Sequence, residues 1–108
     1  MKRGDLALVA VSGDYGKSRP ALIIQSDLFA EHPSVSFCLL TSHLQSTPLF
    51  RYNVDPSPEN GLTTISQVQI DKVMTLPRTK LGQTIGRLTE RQMQEITRLI
   101  ALWMGVAG

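Results

Sequence analysis

Gly16-Lys17-Ser18-Arg19-Pro20-Ala21-Leu22-Ile23-Ile24-Gln25-Ser26 sets a cation, a proline and four apolar residues in direct succession. Pro20 fixes one backbone angle, and the run from Ala21 to Ile24 reads as a strand buried on both faces. Arginine keeps its proton in any protein environment and forks onto carboxylate or phosphate oxygens. The stretch therefore predicts a charged head held at the rim of a rigid sheet, beside a glycine-bearing polar loop. Charge stabilisation by a preorganised group requires such an arrangement.

On the N-terminal side, residues 5–11 are largely apolar and stop at Ser12-Gly13-Asp14-Tyr15-Gly16. Two glycines mark a loop there, so a hairpin is predicted with a seven-residue loop over 12–18 and a second strand from Pro20. On the C-terminal side, residues 26–33 form a connection with a helical turn capped by Ser26 or Asp27. A third strand over 35–40 ends in Thr41-Ser42-His43. Residues 49–54 alternate, with Phe50, Tyr52 and Val54 on one face and Arg51 and Asn53 on the other. Two prolines and an Asn-Gly make 55–61 a turn. Branched residues make 62–74 a strand. A turn over 75–82 and a short strand over 83–88 follow.

Thr89-Glu90-Arg91-Gln92 fits a capping box. Met93, Ile96, Leu99, Ile100 and Trp103 recur at spacings of three and four, forming one apolar helical stripe that Gly105 ends. About six strands and a C-terminal amphipathic helix predict a mainly β fold: a strongly curved antiparallel sheet or open barrel with the helix packed on it. One domain over 1–108 is expected from a chain of 108 residues.

Eleven Lys and Arg against nine Asp and Glu leave a formal charge of +2. The isoelectric point near 9.0 permits a nucleic-acid partner without demanding one. The single Cys38 rules out an internal disulfide and a Cys-rich zinc site, and its apolar neighbours predict a buried, inert thiol. Neither an apolar leader segment nor an 18-residue apolar run is present, so a cytoplasmic location without a membrane partner is expected.

Glycine-rich phosphate loops, dinucleotide fingerprints and His-Glu-x-x-His are all missing. The two histidines, His32 and His43, have no acidic pair at ligand spacing, and no metal or cofactor is expected. What remains is Arg19 at a strand start and the hydroxyls of Thr41 and Ser42 at a strand end. If strands two and three pair antiparallel, these share one edge. Such a pair suits RNA cleavage, where the substrate's own 2′-hydroxyl is the nucleophile. Arg19 would donate two hydrogen bonds to the developing charge and Thr41 a third. His43 can give or take a proton near neutral pH, as imidazoles do. The plainer readings are a surface cation for Arg19, strand-end caps for Thr41 and Ser42, and a loop residue for His43. Phe50, Tyr52 and Trp103 read as core or interface packing.

Three segments carry a resemblance to a known family: Ser18-Arg19-Pro20-Ala21-Leu22-Ile23-Ile24-Gln25-Ser26, Leu39-Leu40-Thr41-Ser42, and Gly61-Leu62 through Ser66-Gln67-Val68-Gln69-Ile70-Asp71-Lys72. With the opening Lys2-Arg3-Gly4-Asp5 and the terminal helix, they resemble the MazF/PemK (Kid) toxins of bacterial toxin–antitoxin systems. The resemblance implies a homodimer of SH3-like barrels that cleaves single-stranded RNA, mRNA above all, sequence-selectively and without metal. A 2′,3′-cyclic phosphate would be formed, and a cognate antitoxin would block the groove. Arg19 matches the family's catalytic arginine, Thr41 its catalytic threonine or serine, and Gln67 a glutamine near the site. Ser18, Ser42, His43 and Gln69 are further candidates for catalysis or RNA contact, and Asp14, Tyr15 and Lys17 for an RNA-binding loop.

The chain also departs from the family. Ser18 directly precedes Arg19 where some members carry a nearby histidine, and the first loop is shorter. Thr64 and Ser66 stand where one branch has an arginine and an aspartate. These differences bear on the acid–base partner and on the RNA sequence cut, and they leave Arg19 and Thr41 in place. Two other functions stay open. Trp103-Met104-Gly105-Val106 is superficially similar to the chain end of CcdB, a gyrase poison of related fold that acts by protein contact. A non-catalytic RNA-binding relative is the other.

Overall fold

The computed structural model describes residues 1–10 and 17–106. Among them are six strands, β1 (Asp5–Ala10), β2 (Ser18–Ile23), β3 (Ser34–Thr41), β4 (Arg51–Val54), β5 (Ser66–Pro77) and β6 (Leu81–Arg87), and one helix, α1 (Glu90–Trp103). All ladders are antiparallel, and the strand order is β4-β5-β3-β2-β1-β6. The sheet is curved but open, so β4 and β6 remain as edges. The expected mainly β architecture with a C-terminal helix is the one found.

Alternation along the strands splits the apolar residues between two faces. Leu6, Leu22, Cys38, Leu40, Val68 and Ile70 meet Met93 and Ile96 of α1 in one core. Val9, Ala21, Ile23, Val35, Phe37 and Leu39 form the second, on the other face, with Met74, Leu76 and Leu81 against it. Strict alternation cannot send Val68, Ile70 and Val73 to the same core. A bulge resolves this: Cys38 faces Val73 while Leu40 faces Val68, so extra residues of β5 are absorbed between them. The bulge lets one long strand serve both faces.

Several boundaries differ from the sequence reading. β2 begins at Ser18, two residues before Pro20, because Ser18 and Arg19 pair with Ala10 and Val9. The predicted strand over 62–74 is displaced to Ser66–Pro77: residues 62–65 leave the sheet, whereas Thr75, Leu76 and Pro77 pair with Ser36, Val35 and Ser34. The loop over 12–18 falls mostly outside the described residues, and so do Asp14 and Tyr15. Ser26 caps a single 3-10 turn, its Oγ accepting from Leu28 N–H at 3.2 Å.

The helix start is as expected. Gln92 N–H donates to Thr89 Oγ1 at 3.0 Å, and Thr89 N–H donates to Gln92 Oε1 at 2.8 Å. Gly105, at φ +73°, follows the helix end. Trp103 is not core: it is 51% exposed, its ring centroid 6.2 Å from that of Phe50. Arg51, placed on a polar face with Asn53, is buried instead, its Nε 3.3 Å from Asp71 Oδ1. No described helix is long and apolar enough to cross a membrane.

Candidate active site

The β2–β3 ladder brings the two principal candidates together. Ala21 faces Leu39, Leu22 faces Cys38 and Ile23 faces Phe37. Two residues beyond Ala21 and Leu39 in this register come Arg19 and Thr41. The recorded β2–β3 pairs stop at Ala21, next to Pro20, whose ring nitrogen has no hydrogen to give. Past that point the strands part into an open cleft of about 420 Å³. Arg19 and Thr41 both line it. The condition on which RNA chemistry depended, antiparallel neighbours with both groups at one edge, is met.

The lining is of two chemical kinds. Ser18, Arg19, Thr41, Ser42, Thr63, Thr64 and Ser66 supply the polar groups and the cation. Leu8, Pro20, Leu62 and Ile85 are among its apolar residues. Gly61, in the predicted turn, and Leu62 to Thr64, in the predicted strand, line the cleft although the sequence reading did not name them as site residues. Asn60 sets the path of this segment from within, being 2% exposed: its Oδ1 accepts from Ser57 N–H and Leu62 N–H, and its Nδ2 donates to the Asp55 carbonyl. The signal was present in Asn60-Gly61, a dipeptide that favours left-handed turns. Gly61 indeed has φ +69°. A Cβ there would lie 2.2 Å from the Ile85 carbonyl oxygen, and one on Gly86 would lie 2.4 Å from the Glu59 carbonyl oxygen. Two bare glycine backbones thus let the turn press against β6.

Thr41 is 7% exposed, and its Oγ1 accepts from His43 N–H at 3.1 Å. That bond uses one lone pair and leaves the hydroxyl proton to be donated elsewhere. Ser42 and His43 are exposed, with Ser42 lining the cleft and His43 outside its lining. Lys17 and Ser18 are exposed where β2 begins. Arg19 is half-buried.

The two glutamines of β5 do not line the cleft. Gln67, 4% exposed, lies opposite both Thr41 and Asn53 in register. Its Oε1 accepts from Gln45 N–H at 3.0 Å, and its Nε2 donates to the Gln45 carbonyl and to Asn53 Oδ1, both at 2.8 Å. Gln69 lies opposite Arg51 and is buried, its Oε1 without a hydrogen-bond donor. Among the described residues no three His, Cys, Asp or Glu side chains gather as a metal site. Cys38 is fully buried, and burial, helped by the charge of Asp71, pushes its thiol up to about 12. It is a core residue.

The fold recurs in solved toxin structures. The Mycobacterium tuberculosis toxin MazF-mt6 superposes with a TM-score of 0.82 at 24% identity, over 96% of this chain and 99% of that one. A mycobacterial endoribonuclease in complex with its cognate antitoxin superposes with a TM-score of 0.81 at 24% identity, over 100% and 98%. The family model described as PemK-like, MazF-like toxin of type II toxin–antitoxin system matches residues 2–104. A protein of Mycolicibacterium smegmatis named "Probable endoribonuclease MazF" is 42% identical over 109 residues, spanning the whole of both chains. The chain belongs to the PemK-like, MazF-like toxin family of type II toxin–antitoxin systems.

Proposed function

We propose that this toxin is a metal-independent endoribonuclease that cleaves single-stranded RNA at the cleft between β2 and β3. The observation that carries the reading is the register that sets Arg19 and Thr41 on facing strands at one open mouth. Membership of the family and the name of the M. smegmatis relative support it.

The reaction asks little of the protein. The 2′-oxygen of the RNA attacks the adjacent phosphorus, its proton is removed, and the 5′-oxygen leaves with a proton. A 2′,3′-cyclic phosphate and a free 5′-hydroxyl result. Negative charge builds on the non-bridging oxygens as the phosphorane forms. A guanidinium presents a planar fork to two of those oxygens, and the Thr41 hydroxyl, already turned into a donor by His43 N–H, adds a third bond. Lys17 and Ser18, exposed beside Arg19, hold the flanking backbone. The apolar lining residues Leu8, Leu62 and Ile85 take an adjoining base.

The whole chain, 1–108, acts as one toxin domain in the cytoplasm, as a homodimer held in check by a cognate antitoxin whose disordered segment blocks the cleft. Sequence selectivity and a preference for mRNA complete the reading. The test is cleavage of a mixed-sequence single-stranded transcript in excess EDTA, with the ends analysed for cyclic phosphate. Arg19→Ala is expected to lower cleavage by about 100-fold or more, as removal of one oxyanion donor does elsewhere, while the fold is retained. Activity that appears only on adding Mg²⁺, or an Arg19→Ala protein that cleaves normally, would overturn it.

A further inference from the structure

Gln67 occupies an unusual position for a residue beside a catalytic strand. It is 4% exposed and absent from the cleft lining, yet it sits directly across the ladder from Thr41. Both hydrogens of its amide nitrogen are used, one on the Gln45 carbonyl and one on Asn53 Oδ1, and its oxygen takes Gln45 N–H. Both donors and one lone pair of Oε1 are thus committed, and burial keeps the remaining lone pair from the cleft. What it holds is the backbone of Gln45, an exposed residue in the segment that follows β3.

That segment begins with the catalytic candidates. His43 N–H, two residues before Gln45, is the donor that occupies Thr41 Oγ1. The bonds therefore run in sequence from β5 to the reacting group: Gln67 fixes Gln45, the short stretch from Gln45 back to His43 is held in place, and His43 N–H fixes the rotor of Thr41. Exposed loop backbone lacks a ladder to define it, so a two-point grip by a buried side chain substitutes for one. Without the grip, His43 N–H is free to turn to water, and the Thr41 hydroxyl can rotate to accept from water or donate away from the cleft.

We infer that Gln67 is a positioning residue: through the backbone of Gln45 and His43 it sets Thr41 Oγ1 as a donor towards the scissile phosphate. The inference rests on the reading of Thr41 as the hydroxyl that meets the phosphate. Asn53, exposed on β4, supports Gln67 by accepting its second N–H.

The experiment is a double-mutant cycle in the full chain, with Gln67→Met and Thr41→Val alone and together. The substrate is a short single-stranded RNA carrying a cleavage site mapped beforehand on a mixed-sequence transcript. Gln67→Met should lower kcat by about 10-fold with KM within about twofold, the cost of a misplaced group rather than of lost binding. In the Thr41→Val background the same change should lower kcat by less than about twofold, because the group that Gln67 positions is gone. Equal losses in both backgrounds would make Gln67 merely structural and overturn the inference. A raised KM with kcat intact would make it an RNA contact and do the same. Thr41→Val protein that cleaves like the parent would instead sink the reading on which the inference rests. Should Gln67→Met fail to fold, Asn53→Ala takes its place. Stripping one bond from an exposed position, it should lower kcat by about threefold in the Thr41 protein alone. No fall there would overturn the inference.

Discussion

Alanine at Gly86 tests whether the glycine contact between β6 and the turn before residue 62 shapes the cleft. The new Cβ would lie 2.4 Å from both the carbonyl carbon of Asn60 and the carbonyl oxygen of Glu59. Those are backbone atoms on a turn tied by three hydrogen bonds of Asn60, so no flexible side chain can swing aside. The turn must move by the better part of an ångström, or β6 must leave β1. Overpacking of this kind costs about 1–3 kcal/mol, and against a rigid neighbour a cost of about 2 kcal/mol is expected. For a chain of about this size 1 kcal/mol moves Tm by about 4–8 °C, so Gly86→Ala should melt about 8–16 °C below the parent. Two controls separate space from backbone conformation. Gly105 has nothing within 4 Å of its virtual Cβ but a φ of +73°, so Gly105→Ala should cost about 1 kcal/mol from conformation alone. Gly82 has one ordinary contact at 3.4 Å and no positive φ, so its alanine variant should be near neutral. The assay is thermal unfolding by circular dichroism at fixed protein concentration, with RNA cleavage below the melt as a second readout. Gly86→Ala melting within 2 °C of Gly82→Ala, to within about the error of such a scan, would refute the reasoning.

Removing one partner from the buried Arg51–Asp71 pair should be costly, because an uncompensated charge stays inside. Arg51→Met alone is expected to lower the unfolding free energy by about 3 kcal/mol, and adding Asp71→Leu should return part of the loss, as read from urea titrations. Cys38 should resist thiol reagents in the folded protein. With its thiol near 12 it holds about one part in ten thousand thiolate at pH 8, so labelling at that pH should follow unfolding rather than intrinsic reactivity. The sign for stability is the same: a thiol raised from 9.0 to about 12 favours the folded state below pH 9 and loses that contribution as pH climbs towards 12. A Cys38→Ala protein should therefore show a shallower alkaline loss of Tm than the parent.

Strands β1 to β3 were legible because each buries residues on both faces and is short, which continuous apolar runs signal directly. The capping box of Thr89 and Gln92 was legible because it is local, needing only two residues three apart. The ends of β5 were not. Thr63, Thr64 and Ile65 are branched like strand residues yet leave the sheet, and Pro77 looks like a break yet pairs with Ser34 at the end of the ladder. Arg51 was assigned to a polar face on alternation that was correct; what the sequence could not disclose is that Asp71, twenty positions on, meets it in the interior. Of the site, Arg19 and Thr41 could be named by residue type and position, but their meeting depended on which strands pair. The roles of Gln67 and Gln69 were hidden for the same reason. Glutamines on a strand look alike until the ladder shows one facing Thr41 and Asn53 and the other facing Arg51.

The contact between Phe50 and Trp103 has a practical side. Trp103 is the chain's single tryptophan, and it lies half in water at the end of α1, bordered by Leu49, Phe50 and Leu102. All indole emission from the chain thus originates at one surface spot on the far end of the helix from its cap. Any macromolecule that settles over that spot excludes water from the ring and shifts its emission to shorter wavelength, and Trp103 is not among the residues that line the cleft with Arg19 and Thr41. The molecule carries a built-in optical probe that discriminates partners by where they land, without a label.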